Sequence, residues 1–215
     1  MLASPCATAS LSTYDTVGFT CTIDGYTLSD VTFSESETGG ASLAPDTDIT
    51  VNPLTTANGF VFQFESEDFT DDSATMGTEQ YIVQYELDPV FPEINGIDID
   101  LGPADPATLY GQFCGDGTIT STFDPSLPLN FTCSEGSSSA ILEAVGNNVY
   151  DSQNFPSQVT SVDSELILQL DCDSSTQYFE GGVILATPEP SLLALMIPVL
   201  IGLLLLGRKR LASVR

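Results

Sequence analysis

The chain has 215 residues, 42% of them hydrophobic, which suffices for one sizeable core. All 30 acidic residues precede position 208, all four basic residues (Arg208, Lys209, Arg210 and Arg215) lie from it onward, and histidine and tryptophan are absent. A surface without cations has no means of releasing counterions from a polyanion, which excludes nucleic acid as a partner. Without histidine, a Ser-His-Asp or Cys-His constellation cannot be assembled either.

The first residues, Met1-Leu2-Ala3-Ser4-Pro5, have neither the charge nor the greasy run of a signal peptide, although Ala7-Thr8-Ala9 has the A-x-A form of a cleavage site. The topology argued below therefore implies a leader that lay upstream or has been removed. Next come short segments read as strands at Phe19 to Ile23 and Tyr26 to Ser34. In Gly59-Phe60-Val61-Phe62-Gln63-Phe64-Glu65 the three phenylalanines share a face, the period of a strand with one buried side. The same alternation sets Tyr81, Val83, Tyr85 and Leu87 against Gln80, Gln84 and Glu86. It sets Ile97, Ile99 and Leu101 against Asp98 and Asp100.

Thr118 to Phe123 reads as a weaker strand, and Ala140 to Val145 as the one hint of a helix. Farther on, Leu166, Leu168 and Leu170 alternate with Ile167, Gln169 and Asp171, and Gly182 to Ala186 closes the series. Gly, Pro, Asn, Asp and Ser crowd the gaps, as turn chemistry demands. Many short strands with such punctuation predict a single all-β domain over residues 1–186, a jelly-roll-like β-sandwich.

Five cysteines are present, with no C-x-x-C pair and no histidine to complete a zinc site. Joining near neighbours puts Cys6 with Cys21 and Cys114 with Cys133, each bridge worth roughly 2–4 kcal/mol. Cys172 could equally replace either member of the second pair. Because residues 1–207 lack side-chain cations, their carboxylates must be solvated, hydrogen-bonded or metal-bound. Calcium is the metal that oxygen ligands of this kind suit. Asp68, Asp71 and Asp72 are the candidate cluster. Asp98-Ile99-Asp100-Leu101-Gly102 resembles part of a calcium loop but reads better as a strand, and Gly115-Asp116-Gly117 is an ordinary turn. Two carboxylates could in principle hydrolyse a glycoside, but 30 acids supply such pairs by chance, and the chain is expected not to be an enzyme. The sequon Asn130-Phe131-Thr132 is expected to be idle.

From Ser191 to Gly207 runs an uncharged stretch, S-L-L-A-L-M-I-P-V-L-I-G-L-L-L-L-G, which as a helix would span about 25 Å. Arg208-Lys209-Arg210 follows it as a cytoplasmic stop under the positive-inside rule, leaving the acidic domain outside. In front stand Thr187-Pro188-Glu189-Pro190, where two prolines enforce an extended backbone. The whole is read as one C-terminal transmembrane helix carried by a tail at residues 187–211: motif 188–190, span 191–207, stop 208–210.

Pro188-Glu189-Pro190, a Leu/Ile/Gly-rich span and a terminal Arg/Lys cluster together resemble the PEP-CTERM sorting signal of Gram-negative bacteria. The resemblance covers residues 187 to 211. It implies recognition by an exosortase, with Pro188, Glu189 and Pro190 as the motif, and an association with extracellular polysaccharide and biofilm. Pro198 inside the span departs from the commonest pattern of that family. The opening, with Cys6, Tyr14, Gly18 and Cys21-Thr22-Ile23, is also similar to uncharacterised PEP-CTERM proteins, which supports a Cys6–Cys21 staple.

These readings lead to an exported, membrane-anchored cell-surface or matrix protein with a structural or adhesive role, its domain periplasmic or extracellular. The alternatives are a carbohydrate- or calcium-dependent binding module and, as a third, a glycoside hydrolase. The expected partners are exosortase, the membrane and extracellular polysaccharide.

Overall fold

The computed structural model describes residues 4–39, 42–70, 77–88, 93–119, 133–146 and 149–186. Period-two alternation is what builds them. In chain order the strands are β1 (Ser4–Pro5), β2 (Ala9–Ser10), β3 (Cys21–Ile23), β4 (Tyr26–Thr38), β5 (Thr50–Thr55), β6 (Gly59–Glu65) and β7 (Thr78–Asp88). They continue as β8 (Ile94–Leu101), β9 (Ala104–Gly115), β10 (Ser138–Val145), β11 (Tyr150–Val159), β12 (Val162–Thr176) and β13 (Tyr178–Leu185). One helical turn, α1 (Leu11–Tyr14), separates β2 from β3.

Two sheets result. The seven-stranded sheet has the order β1-β3-β4-β7-β12-β9-β10, and the six-stranded sheet β11-β8-β13-β6-β5-β2. Every pairing is antiparallel except β1 with β3. The last two strands are inserted late, β12 between β7 and β9 and β13 between β6 and β8. Both sheets are therefore completed only by the C-terminal part of the domain.

The core lies between the sheets. Tyr81, Val83, Tyr85 and Leu87 of β7 and Leu166, Leu168 and Leu170 of β12 meet Phe60, Phe62 and Phe64 of β6 and Ile97, Ile99 and Leu101 of β8, all buried. Aromatic rings bridge the layers: Phe62 lies 5.6 Å from Tyr85, Tyr26 5.4 Å from Phe60, and Phe69 touches both Tyr81 (5.0 Å) and Phe179 (5.5 Å). Such ring pairs add about 0.5–1.5 kcal/mol beyond their buried area. Two of the buried hydroxyls find partners close by: Tyr14 donates to the Ala7 carbonyl at 2.7 Å and Tyr81 to Glu79 Oε2 at 2.9 Å.

Two disulfides staple the sandwich. Cys6–Cys21 ties the N-terminal strands together, and Cys114–Cys133 ties the end of β9 to the segment before β10. Disulfides of this kind persist in oxidising compartments, so the domain belongs to the periplasm or the extracellular space.

Several expectations need correction. The fold class was expected to be a sandwich plus a C-terminal transmembrane helix. The described chain is a nearly all-β sandwich, and no helix among the described residues is long and apolar enough to cross a membrane. The expected span 191–207, the motif residues Pro188, Glu189 and Pro190, and Arg208, Lys209 and Arg210 lie outside the described residues.

Ala140 to Val145 is not a helix but most of strand β10. Its Ala140, Leu142 and Ala144 face the core while Ile141 and Val145 face outward, and pairing with β9 sets that period. The expectation for Thr118 to Phe123 gives only an isolated bridge between Ile119 and Cys133, with residues 120–132 outside the described set. Besides the two-residue β1 and β2, three strands lie outside the sequence reading. β9 is masked by Pro103 and Pro106, β5 carries Pro53, and β11 is polar with Pro156. β11 and β10 are sheet edges, and β5 has only two-residue β2 beyond it. At edges proline and polar residues are tolerated because one side of the ladder is unpaired.

A polar floor and groove on the six-stranded sheet

Residues that point out of the six-stranded sheet form rows across its strands. Through the register, Tyr150 faces Asp100, Asp100 faces Glu180, Glu180 faces Gln63 and Gln63 faces Asn52. One row of carboxylates and amides therefore crosses five strands, β11-β8-β13-β6-β5. A second row holds Ser152, Asp98, Gly182, Val61 and Leu54, and a third Tyr178, Glu65 and Thr50. Neighbouring strands stand about 4.8 Å apart, which places a forked polar group at each such step.

The two amides on this floor each give one N–H to a neighbouring carboxylate. Asn52 Nδ2 donates to Glu65 Oε2 at 2.8 Å, and Gln63 Nε2 donates to Glu180 Oε2 at 3.2 Å. No side-chain cation among the described residues balances the carboxylates, and their affinity for protons records it. Burial first, then Asp100 and Asp98, push Glu180 up to about 7 in spite of the Gln63 hydrogen bond. Burial and then Asp100 push Asp98 up to about 6. Asp98 Oδ1 is shut off from solvent and accepts no hydrogen bond. Beside it, Gly182 lets its neighbours close in: a Cβ there would come within 2.6 Å of Asp98 Oδ1 and 2.5 Å of Val61 Cγ1, so both side chains pack over the bare backbone.

At the third row the floor runs into a groove of about 720 Å³ lined by Asp48, Thr50, Glu65, Ser66, Glu67, Gln177 and Tyr178. The Tyr178 ring lies across Gly102, where a Cβ would meet the ring at 2.8 Å, and Gly102 N–H donates to the Tyr178 carbonyl at 2.9 Å. Burial raises the Tyr178 hydroxyl pKa, and the carboxylates of Asp100, Glu180 and Glu65 raise it further. A half-exposed ring therefore stands beside three carboxylates.

The residues singled out from sequence distribute unevenly. Asp98 and Asp100 were read as strand residues, and they are, on the outward face of β8. Asp68 sits in the turn after the groove residues Ser66 and Glu67, its N–H donating to Ser66 Oγ at 3.2 Å; Asp71 and Asp72 lie outside the described residues. Among the described residues no group of three or more His, Cys, Asp or Glu side chains is placed to hold a metal ion. Asp116 Oδ1 accepts from Thr160 N (2.6 Å), Thr160 Oγ1 (2.9 Å) and Ser161 N (3.1 Å), which locks two turns together. The outward members of β13, Tyr178 and Glu180, escaped notice because the strand was read as starting at Gly182. Extending the alternation backward would have found both.

These features define a class: an all-β sandwich whose smaller sheet presents an open, cation-free polar floor ending in a groove. No protein-family model matches the sequence. No curated protein matches it either. Among solved structures, the chain is similar to TmCBM61 in complex with beta-1,4-galactotriose, at 8% identity over 71% of this chain and 83% of that one, with a TM-score of 0.31. It is also similar to the family 11 carbohydrate-binding module from Clostridium thermocellum in complex with a beta-1,3-1,4-mixed-linked tetrasaccharide, at 12% identity over 84% and 97%, with a TM-score of 0.24. At such scores the strand topology itself, not the likeness, carries the description of the fold.

Proposed function

We propose that the domain is an exported carbohydrate-binding module and that a polysaccharide lies across the outer face of the six-stranded sheet, running into the Tyr178 groove. The observation that carries this reading is the row Asn52, Gln63, Glu180 and Asp100, repeating a forked polar group at successive strands beside an aromatic ring. Sugars present hydroxyls that both donate and accept, and apolar ring faces that pack on aromatics; carboxylates, amides and tyrosine match both. The two disulfides agree with an exported setting.

Binding is favoured over hydrolysis by the arrangement of the acids. Glycoside hydrolysis needs two carboxyl groups flanking the scissile bond. Asp98, Asp100 and Glu180 instead stand side by side on one sheet face, approaching a ligand from the same side. Calorimetry of the purified protein against a panel of polysaccharides, with product analysis by chromatography, tests both parts. Binding without new reducing ends is expected, with Tyr178→Ala weakening it about tenfold or more and its melting curve establishing that the variant folds. If no saccharide binds, the reading falls.

The sorting reading is a separate proposal, resting on Pro188-Glu189-Pro190 and the terminal Arg-Lys-Arg cluster. Replacing the three motif residues by alanine is expected to leave an unprocessed C-terminus in the native host, read by mass spectrometry. An identical C-terminus in both forms would remove exosortase from the list of partners.

A further inference from the structure

We propose that Asn58 is a site of spontaneous covalent modification, its side-chain amide being lost through attack by the main-chain nitrogen of Gly59. That reaction needs an asparagine free to rotate, a following nitrogen within reach of its side-chain carbonyl carbon, and no side chain on the next residue to block the approach. The sequence contains two Asn-Gly pairs, Asn58-Gly59 and Asn95-Gly96, and the fold treats them differently. Asn58 is exposed in the tight turn between β5 and β6, where Thr56 N–H donates to the Gly59 carbonyl at 2.8 Å. Leu185 N–H donates to the Asn58 carbonyl at 2.8 Å, which in an antiparallel ladder turns the Gly59 N–H away from β13 and toward the turn. Asn95 is held within β8 instead. Gly96 stands between Asn154 of β11 and Ile184 of β13, so its N–H faces a paired strand on either side. Rotation at Asn95 therefore requires the ladder to open, and rotation at Asn58 does not.

Glycine at position 59 is not optional, since a Cβ there would lie 1.9 Å from the Val183 carbonyl oxygen. The close approach of β13 that demands glycine also leaves the attacking nitrogen unshielded, so packing and chemical lability are tied together at this turn. In the step itself the Gly59 nitrogen gives its proton to water and bonds to Asn58 Cγ, the Cγ–Nδ2 bond breaks, and ammonia leaves. The cyclic imide then takes up one water and opens to aspartate or to isoaspartate, whose main chain runs through Cγ. Either product adds a carboxylate to a chain that has no cationic side chain before Arg208. Isoaspartate also lengthens the turn by one main-chain carbon and displaces the carbonyl that Leu185 N–H holds.

The test is a peptide map of the full chain before and after warm storage at mildly alkaline pH, folded and in urea. A glutamate-specific protease is used, because lysine and arginine occur only from Arg208 onward. The folded protein is expected to gain about 1 Da at Asn58, at a rate about tenfold or more above that at Asn95. Urea is expected to bring the two sites level, and Asn58→Gln to abolish the gain in the turn. An Asn58 that stays intact in the folded protein, or an Asn95 that converts as fast, would overturn the proposal. A difference that persists undiminished in urea would also overturn it, by assigning the selection to neighbouring residues rather than to the fold.

Discussion

At the scale of single residues, two positions show how little space and how few partners the sandwich leaves. Gly59 opens β6 against β13, and a Cβ there would lie 1.9 Å from the Val183 carbonyl oxygen, an atom that cannot swing away. Gly59→Ala is expected to destabilise the domain by roughly 1–3 kcal/mol or more through this overpacking, measurable by urea denaturation. Asp116 works by attraction instead. Burial raises its pKa, but hydrogen bonds from Thr160 and Ser161 outweigh that and bring it below the usual carboxylate value. Its left-handed backbone (φ 54°) holds the carboxylate toward those donors. Asp116→Ala is expected to cost about 1 kcal/mol, the site being largely exposed, with hydrogen exchange at the Thr160 and Ser161 amides quickening. Unchanged exchange there would show that the contacts are not kept in solution.

Among the elements, β10 is the instructive one. Its residues are compatible with a helix in isolation, and only the ladder with β9 imposes a period of two. The two periods make different predictions. In a strand, Leu142 is buried at 2% exposure while its neighbour Ile141 is half exposed at 50%. Leu142→Ala is therefore expected to cost roughly 2–4 kcal/mol and Ile141→Ala less than about 0.5 kcal/mol, both read from denaturation midpoints. Similar losses at the two positions would contradict the strand. The hairpin between β3 and β4 shows the opposite case, where local chemistry suffices. Asp24 and Gly25, both at positive φ (49° and 89°), supply the aspartate-glycine turn that matches strand twist.

Over the whole molecule, the want of cations sets the response to pH. The carboxyls of Glu180 and Asp98 are raised from 4.5 to about 7 and from 3.8 to about 6 in the folded state. Asp15, Glu35, Glu86, Asp100, Asp163 and Glu165 are displaced in the same direction, each mainly by burial. A raised folded pKa means that the folded chain binds more protons than the unfolded one between the two values. Stability from these groups is full below about pH 4 and is lost as the pH climbs through about 6 to 7. Thermal melts are expected to show a higher midpoint at pH 5 than at pH 8, with the difference shrinking in the Glu180→Gln, Asp98→Asn double variant. A midpoint that rises with pH would refute the assignment.

What the residues determined by themselves was local and periodic. Phe60, Phe62 and Phe64, the Tyr81-to-Leu87 alternation and the Leu166-to-Leu170 alternation announced half-buried strands, because one-sided burial writes itself into every second position. The near-neighbour cysteines pointed to the bridges that form, with Cys172 left open as a substitute in the second. The absence of cations from residues 1–207 gave the expectation of no nucleic-acid partner. The tertiary structure decided what depends on residues distant in the chain. It turned Ala140 to Val145 into a strand, made an edge of polar β11 and paired the proline-bearing β5 and β9 into the sheets. Above all it brought Asn52, Gln63, Asp100 and Glu180, spread over nearly 130 positions, into one row. That row has no signal in the sequence, since cross-strand register is set by which strands pair, and β13, the last strand in the chain, pairs between β6 and β8.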